Sequence, residues 1–361
     1  MVQHYVPRVY LKNFATKRGK DFYVYVHEKN VSRTFECNIK GICAEKDYYT
    51  IDDVSKDLLD KFIIEKVYSN GIEPMYERSF KLLTNDKVFD LTDLQRIEIL
   101  ISMFQLFLRN PRMLEYIISV HVSEVENLYR LQVNEGHKGL TYMHEDFSFR
   151  EFTINDIIAF VTKKATDKYK KDHLGGISQI GQYHEFAKFE VSKIKGKSEF
   201  FTSDHPFTAN DLIDSNRNPF TKSMEFNISL SPLYSLRIFH DNTVPLNTIV
   251  RPILPSGNVG SMNSMVYEQA TKFVVGSVPA FENFFEISKF LENTDLEPRI
   301  DIVRQILEKF TPNRDTAKSM NVMRSYLDKY DKQGTLTLQE QYEMHIEIRN
   351  LAIEWKKSRI E

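Results

Sequence analysis

In the stretch QHYVPRVYLKNFA, residues 3–15, a histidine and an arginine stand on either side of a proline: His4 and Arg8 about Pro7. An imidazole, with its ordinary pKa near 6.5, suits proton transfer at neutral pH. Pro7 fixes its own φ and biases Val6 to the extended region, so the chain bends here into a short helix with Tyr10, Leu11 and Phe14 as its buried face. His4 and Arg8 then flank a bend of fixed geometry and can face a cleft. The plainer alternative is that His4 bonds local backbone and Arg8 is solvated.

A second set lies on the apolar run IEILISMFQLFL, residues 97–108, where Glu98, Ser102, Gln105 and the following Arg109 share one helical face. Such a stripe is either a solvent edge or a polar cavity, and an internal guanidinium needs acceptors to offset its desolvation. Arg109 and Arg112 can also make an anion site at the start of the next helix. Glu65 and Glu73 flank a Ser69-Asn70-Gly71 break and are the carboxylates placed to answer Arg109 or to share a divalent metal, the one cofactor these residues suggest. No zinc-type spacing, glycine-rich phosphate loop, dinucleotide fingerprint or nucleophile elbow accompanies them.

The third set is FFTSDHPF, residues 200–207. In an extended chain Ser203 and His205 lie roughly 6.5 Å apart with Asp204 on the opposite face, so the three cannot form their own triad. Ser203 or Asp204 can instead close a turn before Pro206.

These residues are carried by a chain of 361 residues, 42% hydrophobic, with 48 basic against 50 acidic side chains. A formal charge of −2 advertises no nucleic acid, which would need a local basic patch. Two cysteines, Cys37 and Cys43, favour a reducing cytoplasm over a disulfide framework. No apolar stretch reaches the roughly 20 residues of a membrane span, and no secretory leader is expected. Aromatic and β-branched runs predict strands at 21–28, 31–39 and 46–51. Helical spacing follows from Val54 to the break at 69–71, then from Pro74. Thr92 with Gln95 reads as a capping box opening a helix to Arg109, and Asn110-Pro111 opens another to Val133. Residues 134–152 read as loop and 154–171 as helix. Strands are expected at 185–194, 198–202, 224–230, 233–239 and 247–254, then a helix at 262–272. FVVGSV, 273–278, fits either state, and 337–357 reads as an amphipathic helix.

The opening HYVPRVYLKNFA resembles the signature of an uncharacterised, mainly bacterial family of domains of unknown function, whose members begin His-Tyr-Val-Pro and continue aromatic-Leu-basic-x-Phe. FQLFLRNPR, FFTSDHP, LSPLYSL and MNSMVYEQATKFVVGS follow in the family's order, over residues 4–277. Relatives usually carry Asn where His205 stands. The resemblance marks His4, Pro7, Gln105, Arg109, Ser203, Asp204 and Pro206, with Glu65 and Glu73 less directly, and implies one polar constellation drawn from distant segments.

The expected architecture is α+β, a helical middle packed against β-structure from both ends. Residues 1–278 are read as the family domain (1–52 motif and short strands, 53–184 helical, 185–278 strands and helix), and 279–361 as a helical extension packed on it. His4, Arg109 and Asp204 are expected to meet in a cleft and hydrolyse a phosphodiester or other phosphorylated substrate, as in a defence- or toxin-type nuclease. Arg109 would hold negative charge, His4 would move a proton, and Asp204 would orient the histidine or a metal. Arg8, Gln105, Arg112, Ser203 and His205 are the expected binding residues. The alternative is a non-enzymatic interaction module whose polar residues form a buried structural network.

Overall fold

The computed structural model describes residues 2–50, 60–172, 177–209 and 225–293. The chain divides into two units, Met1–Phe284 and Phe285–Glu361. The helix expected at 337–357 lies outside the described residues.

Strand β1 (Val2–His4) leads into helix α1 (Arg8–Leu11), and β2 (Thr16–Arg18), β3 (Asp21–Glu28), β4 (Arg33–Asn38) and β5 (Ala44–Lys46) follow. Next come helices α2 (Ile63–Val67), α3 (Glu73–Leu83), α4 (Asp93–Leu108) and α5 (Pro111–Asn134). A hairpin, β6 (Gly139–Tyr142) and β7 (Glu145–Ser148), precedes α6 (Ile154–Asp172) and α7 (Ile177–His184). The chain then alternates through β8 (Lys188–Lys195), β9 (Thr202–Ser203), β10 (Phe207–Ala209), β11 (Phe226–Ser229) and β12 (Tyr234–Phe239). It closes with β13 (Ile249–Val250), β14 (Ile253–Pro255), α8 (Ser256–Gln269), β15 (Phe273–Gly276) and α9 (Val278–Asn293).

The fold is α+β, and its two larger sheets are organised differently. One runs β10-β11-β12-β8-β13, with β14 also on β8, and comes wholly from the C-terminal half of the first unit. The other joins chain ends: β2, β4 and β15 all pair with β3, and β9 pairs with β15. Val275 stands opposite Val26, about 250 positions away along the chain, and both are buried. FVVGSV is therefore a strand in its first four residues.

Helix α4 is enclosed from Ile99 to Phe107, while Leu94 and Ile97 near its start are exposed. Phe104 meets Tyr183, Phe207 and Phe226 with ring centroids 5.4, 5.4 and 4.9 Å away, the offset and edge-on contacts that aromatic quadrupoles favour. Its N-terminus is closed by the expected capping box: Thr92 Oγ1 accepts from Gln95 N, and Gln95 Oε1 accepts from Thr92 N. Asn110 caps α5 by accepting from Arg112 N.

Three local expectations are corrected. Ser69-Asn70-Gly71 is no break, because a π-helical segment, Tyr68–Ile72, joins α2 to α3 without interruption. Its wider turn buries Tyr68 and Ile72 while leaving 69–71 exposed. The loop expected at 134–152 contains the β6–β7 hairpin, whose turn residues Met143 and His144 both take positive φ (51° and 66°). That geometry normally announces itself through Asn-Gly, so its residue types concealed it. The strand expected at 46–51 lies at 44–46, where Asp47, with φ of 57°, ends it.

Candidate functional site

Four elements surround an open cleft of about 360 Å³: the start of α1, the β2–β3 hairpin, the turn at 38–41 and the π-turn running into α3. Arg8, Lys12, Lys20 and Lys40 line it together with Asp21, Glu73 and Glu77, so its charged side chains number four basic against three acidic. Lys40 is neutralised by Asp21 at 2.7 Å. Arg8, Lys12 and Lys20 make no ion pair with any described residue, which leaves the cleft with uncompensated positive charge.

Behind the cleft lies Arg109. Its side chain is 1% exposed, and Nη1 reaches Glu73 Oε1 at 3.4 Å while Nη2 donates to the His4 carbonyl at 2.5 Å. The guanidinium lies over the Tyr68 ring, 3.9 Å from its centroid, with the Tyr49 ring on another side at 5.7 Å. Tyr49 also donates its hydroxyl to the Arg109 carbonyl, and Tyr68 donates to Gln105 Oε1. Gln3, fully buried, accepts from Tyr49 N. The N-terminal strand, the π-turn and the end of α4 are thus tied through one cation. Arg109 Nε, Gln105 Nε2 and Glu65 Oε2 are buried with no hydrogen-bond partner.

His4 sits between this network and the cleft wall, its Nε2 3.3 Å from the carbonyl of Ile39. Burial lowers its pKa, and the charge on Arg8 lowers it further against the opposing pull of that carbonyl. The ring is neutral at pH 7, and donation from Nε2 leaves Nδ1 as the basic nitrogen. Burial raises the Glu65 carboxyl, with Arg109 opposing. Glu73 opens α3; one oxygen faces Arg109 and the side chain is 28% exposed to the cleft. Among the described residues no group of three or more His, Cys, Asp or Glu side chains is placed to hold a metal ion.

The polar stripe of α4 runs from the solvent edge at Glu98 to the interior at Arg109, facing α3 and the π-helical segment. Glu98 pairs with Arg78 at 2.7 Å, and Ser102 donates to Ser79. Gln105 meets Tyr68, and Arg109 meets Glu73.

Asp204 belongs to a different corner. Its carboxylate accepts from the backbone N–H groups of Thr271, Lys272 and Phe273 at 2.9, 2.7 and 3.0 Å. Its own carbonyl accepts from Asn110 Nδ2. Burial raises its pKa against those three amide bonds. No hydrogen bond or ion pair joins Asp204 to His4 or Arg109. Asp204 touches the neighbours of that pair, through its carbonyl to Asn110 beside Arg109, and not His4 or Arg109 themselves. Ser203 Oγ accepts from His205 N and donates to His205 O, which is a turn-former's bonding. His205 is buried with Nδ1 unpartnered, its pKa pushed down to about 3 by burial and then by Arg112. Arg112 donates to the carbonyl of Gln269 at the end of α8, a favourable place for a cation.

The cleft residues Lys12, Lys20, Phe22 and Lys40 and the ring partners Tyr49 and Tyr68 were not among the candidates. The only sequence sign of Lys12, Lys20 and Phe22 was the density of basic and aromatic residues between 5 and 25, and Lys40, Tyr49 and Tyr68 had none. A family model, described as a protein of unknown function (DUF4238), matches residues 2–279. The chain belongs to that family. The match takes in the cleft, the Arg109 network and the Asp204 corner alike. No curated protein and no solved structure matches the chain. No helix among the described residues is long and apolar enough to cross a membrane.

Proposed function

We propose that this DUF4238 protein binds a phosphorylated ligand in the cleft beside its N-terminal motif and hydrolyses a phosphoester there. The observation that carries this reading is the placement of the unpaired cations Arg8, Lys12 and Lys20 in the same cleft as Glu73, whose carboxylate is held from the buried side by Arg109. Unpaired cations at the mouth supply charge for phosphate oxygens, the main requirement of phosphoryl transfer. Glu73 has one oxygen committed to Arg109 and the other available to accept a proton from water. The water oxygen then attacks phosphorus, the P–O ester bond breaks, and the leaving oxygen takes a proton from solvent. The carboxylate role expected of Asp204 passes to Glu73. Arg109 acts as a positioning residue, and His4 anchors it through its carbonyl. A nuclease is the version to test first, with nucleic acid held at this local basic patch. Two free thiols fit a reducing, cytoplasmic setting.

A second reading, an interaction module with a structural polar network, is favoured by the closed bonding of Asp204 and the burial of Arg109. The two readings separate on Glu73→Gln assayed on RNA, DNA and nucleotides with and without divalent metal. The hydrolase reading expects turnover in the wild type, a loss of at least about 100-fold in Glu73→Gln with binding retained, and loss of binding in Arg8→Ala. Wild-type protein that turns over none of these substrates, or Glu73→Gln with full activity, overturns it.

A further inference from the structure

We infer that the cleft recognises a nucleotide, a phosphate joined to a flat base that stacks on Phe22; this rests on the phosphate reading of the same cleft. Phe22 is the one aromatic ring among the cleft's lining residues. It stands on β3 opposite Lys17 of β2, half-buried against the core, so its ring is anchored by a hairpin before any ligand arrives. A platform already held in place loses little entropy on binding.

The charge lies where a nucleotide needs it. Lys12 Nζ sits over the Phe22 ring, 5.3 Å from its centroid, and Arg8, one helical turn earlier, lines the same wall. A base that took the place of the Lys12 ammonium over Phe22 would bring its phosphate within reach of Arg8 and of the displaced, flexible Lys12. Val9, Ile39 and Pro74 supply the apolar remainder of the lining. A sugar phosphate would satisfy the cations but leave these apolar surfaces uncovered. Base–aromatic stacking is sequence-tolerant, since every base has a π-face, so the cleft selects the class rather than a particular base. The volume of about 360 Å³ is at the small end of ligand pockets and matches a single nucleotide unit, free or as part of a single strand.

The test is calorimetric titration of the full chain, at low salt, with AMP, ribose 5-phosphate and a single-stranded RNA of five nucleotides. The expected result is AMP binding at least about 10-fold tighter than ribose 5-phosphate, a typical stacking increment. Phe22→Leu should abolish that preference while keeping ribose 5-phosphate affinity, and Phe22→Tyr, which keeps a ring, should retain it. The ribose 5-phosphate affinity of Phe22→Leu also reports that the cleft has folded; Phe22→Tyr carries the comparison if it has not. RNA binding tighter than AMP assigns the ligand to a strand, and AMP binding as tightly as RNA or more so assigns it to a free nucleotide; both support the inference. Equal affinity for AMP and ribose 5-phosphate in the wild type, or a preference that survives Phe22→Leu, overturns the nucleotide while leaving phosphate binding intact. Saturable binding of none of the three probes overturns both.

Discussion

The Arg109 network and the Asp204 corner use the same chemical parts, a buried charge answered by backbone and side-chain groups, with opposite results. Asp204 spends its carboxylate on three consecutive amides of one short segment, residues 271–273. Arg109 divides its donors between the backbone of His4 and the side chain of Glu73, and Glu73 reaches the cleft. The first arrangement ends at itself. The second passes orientation outward to a group that meets solvent. Burial of a charged residue does not distinguish a fastening from a support for chemistry; the chemistry of its partners does, backbone amides at Asp204 and an ionisable side chain lining the cleft at Arg109.

That contrast breaks most sharply at Asp204. Asp204→Ala removes the acceptor shared by the N–H groups of exposed Thr271 and Lys272 and half-buried Phe273, worth roughly 1 kcal/mol each where water can partly replace it, so a destabilisation of about 3 kcal/mol is expected in urea denaturation. Asp204→Asn, which keeps an acceptor oxygen, should lose clearly less. A change below about 1 kcal/mol in Asp204→Ala would show that the corner is not a fastening.

The next effect is acid sensitivity in the same corner. The folded pKa of His205 is depressed to about 3 against an ordinary 6.5, so the folded chain binds fewer protons than the unfolded one between these values. The stability His205 contributes is therefore present above about pH 6.5 and is lost as pH falls towards 3, with a slope of about 1.4 kcal/mol per pH unit. His4, also depressed, adds to the loss over the upper part of this window. His205→Asn removes one ionisable group and should flatten the denaturation midpoint measured between pH 7 and 5. An unchanged slope would place the proton elsewhere.

The smallest expected change sharpens the other side. Arg8 is exposed and unpaired, so Arg8→Ala should leave stability within about 0.5 kcal/mol while affecting ligand binding. A loss of more than about 1.5 kcal/mol on denaturation would move Arg8 to the structural side of the comparison.

What was legible in the chain was local. The capping box at Thr92, the Asn110 cap and the hydrophobic spacing of α4 all depend on contacts within a few residues, and each stands where residue types predicted it. The β6–β7 turn and the π-segment were hidden because Met143-His144 and Ser69-Asn70-Gly71 carry the wrong local cues for what tertiary packing imposed. His4 and Arg109 were recognisable as candidates from a proline-fixed bend and a polar stripe. Glu73 was recognisable only as one of two carboxylates near that stripe.

The amino-acid sequence by itself determined the helices whose spacing and caps act over one or two turns, α4 and α5 above all, and placed charge at Arg109 on an apolar helix. Only the tertiary structure decided that Asp204 faces backbone amides and that Glu73 faces a cleft. Those partners lie some 67 and 36 residues away along the chain, and which of them a side chain meets is set by how β3, β15 and the helices pack around them.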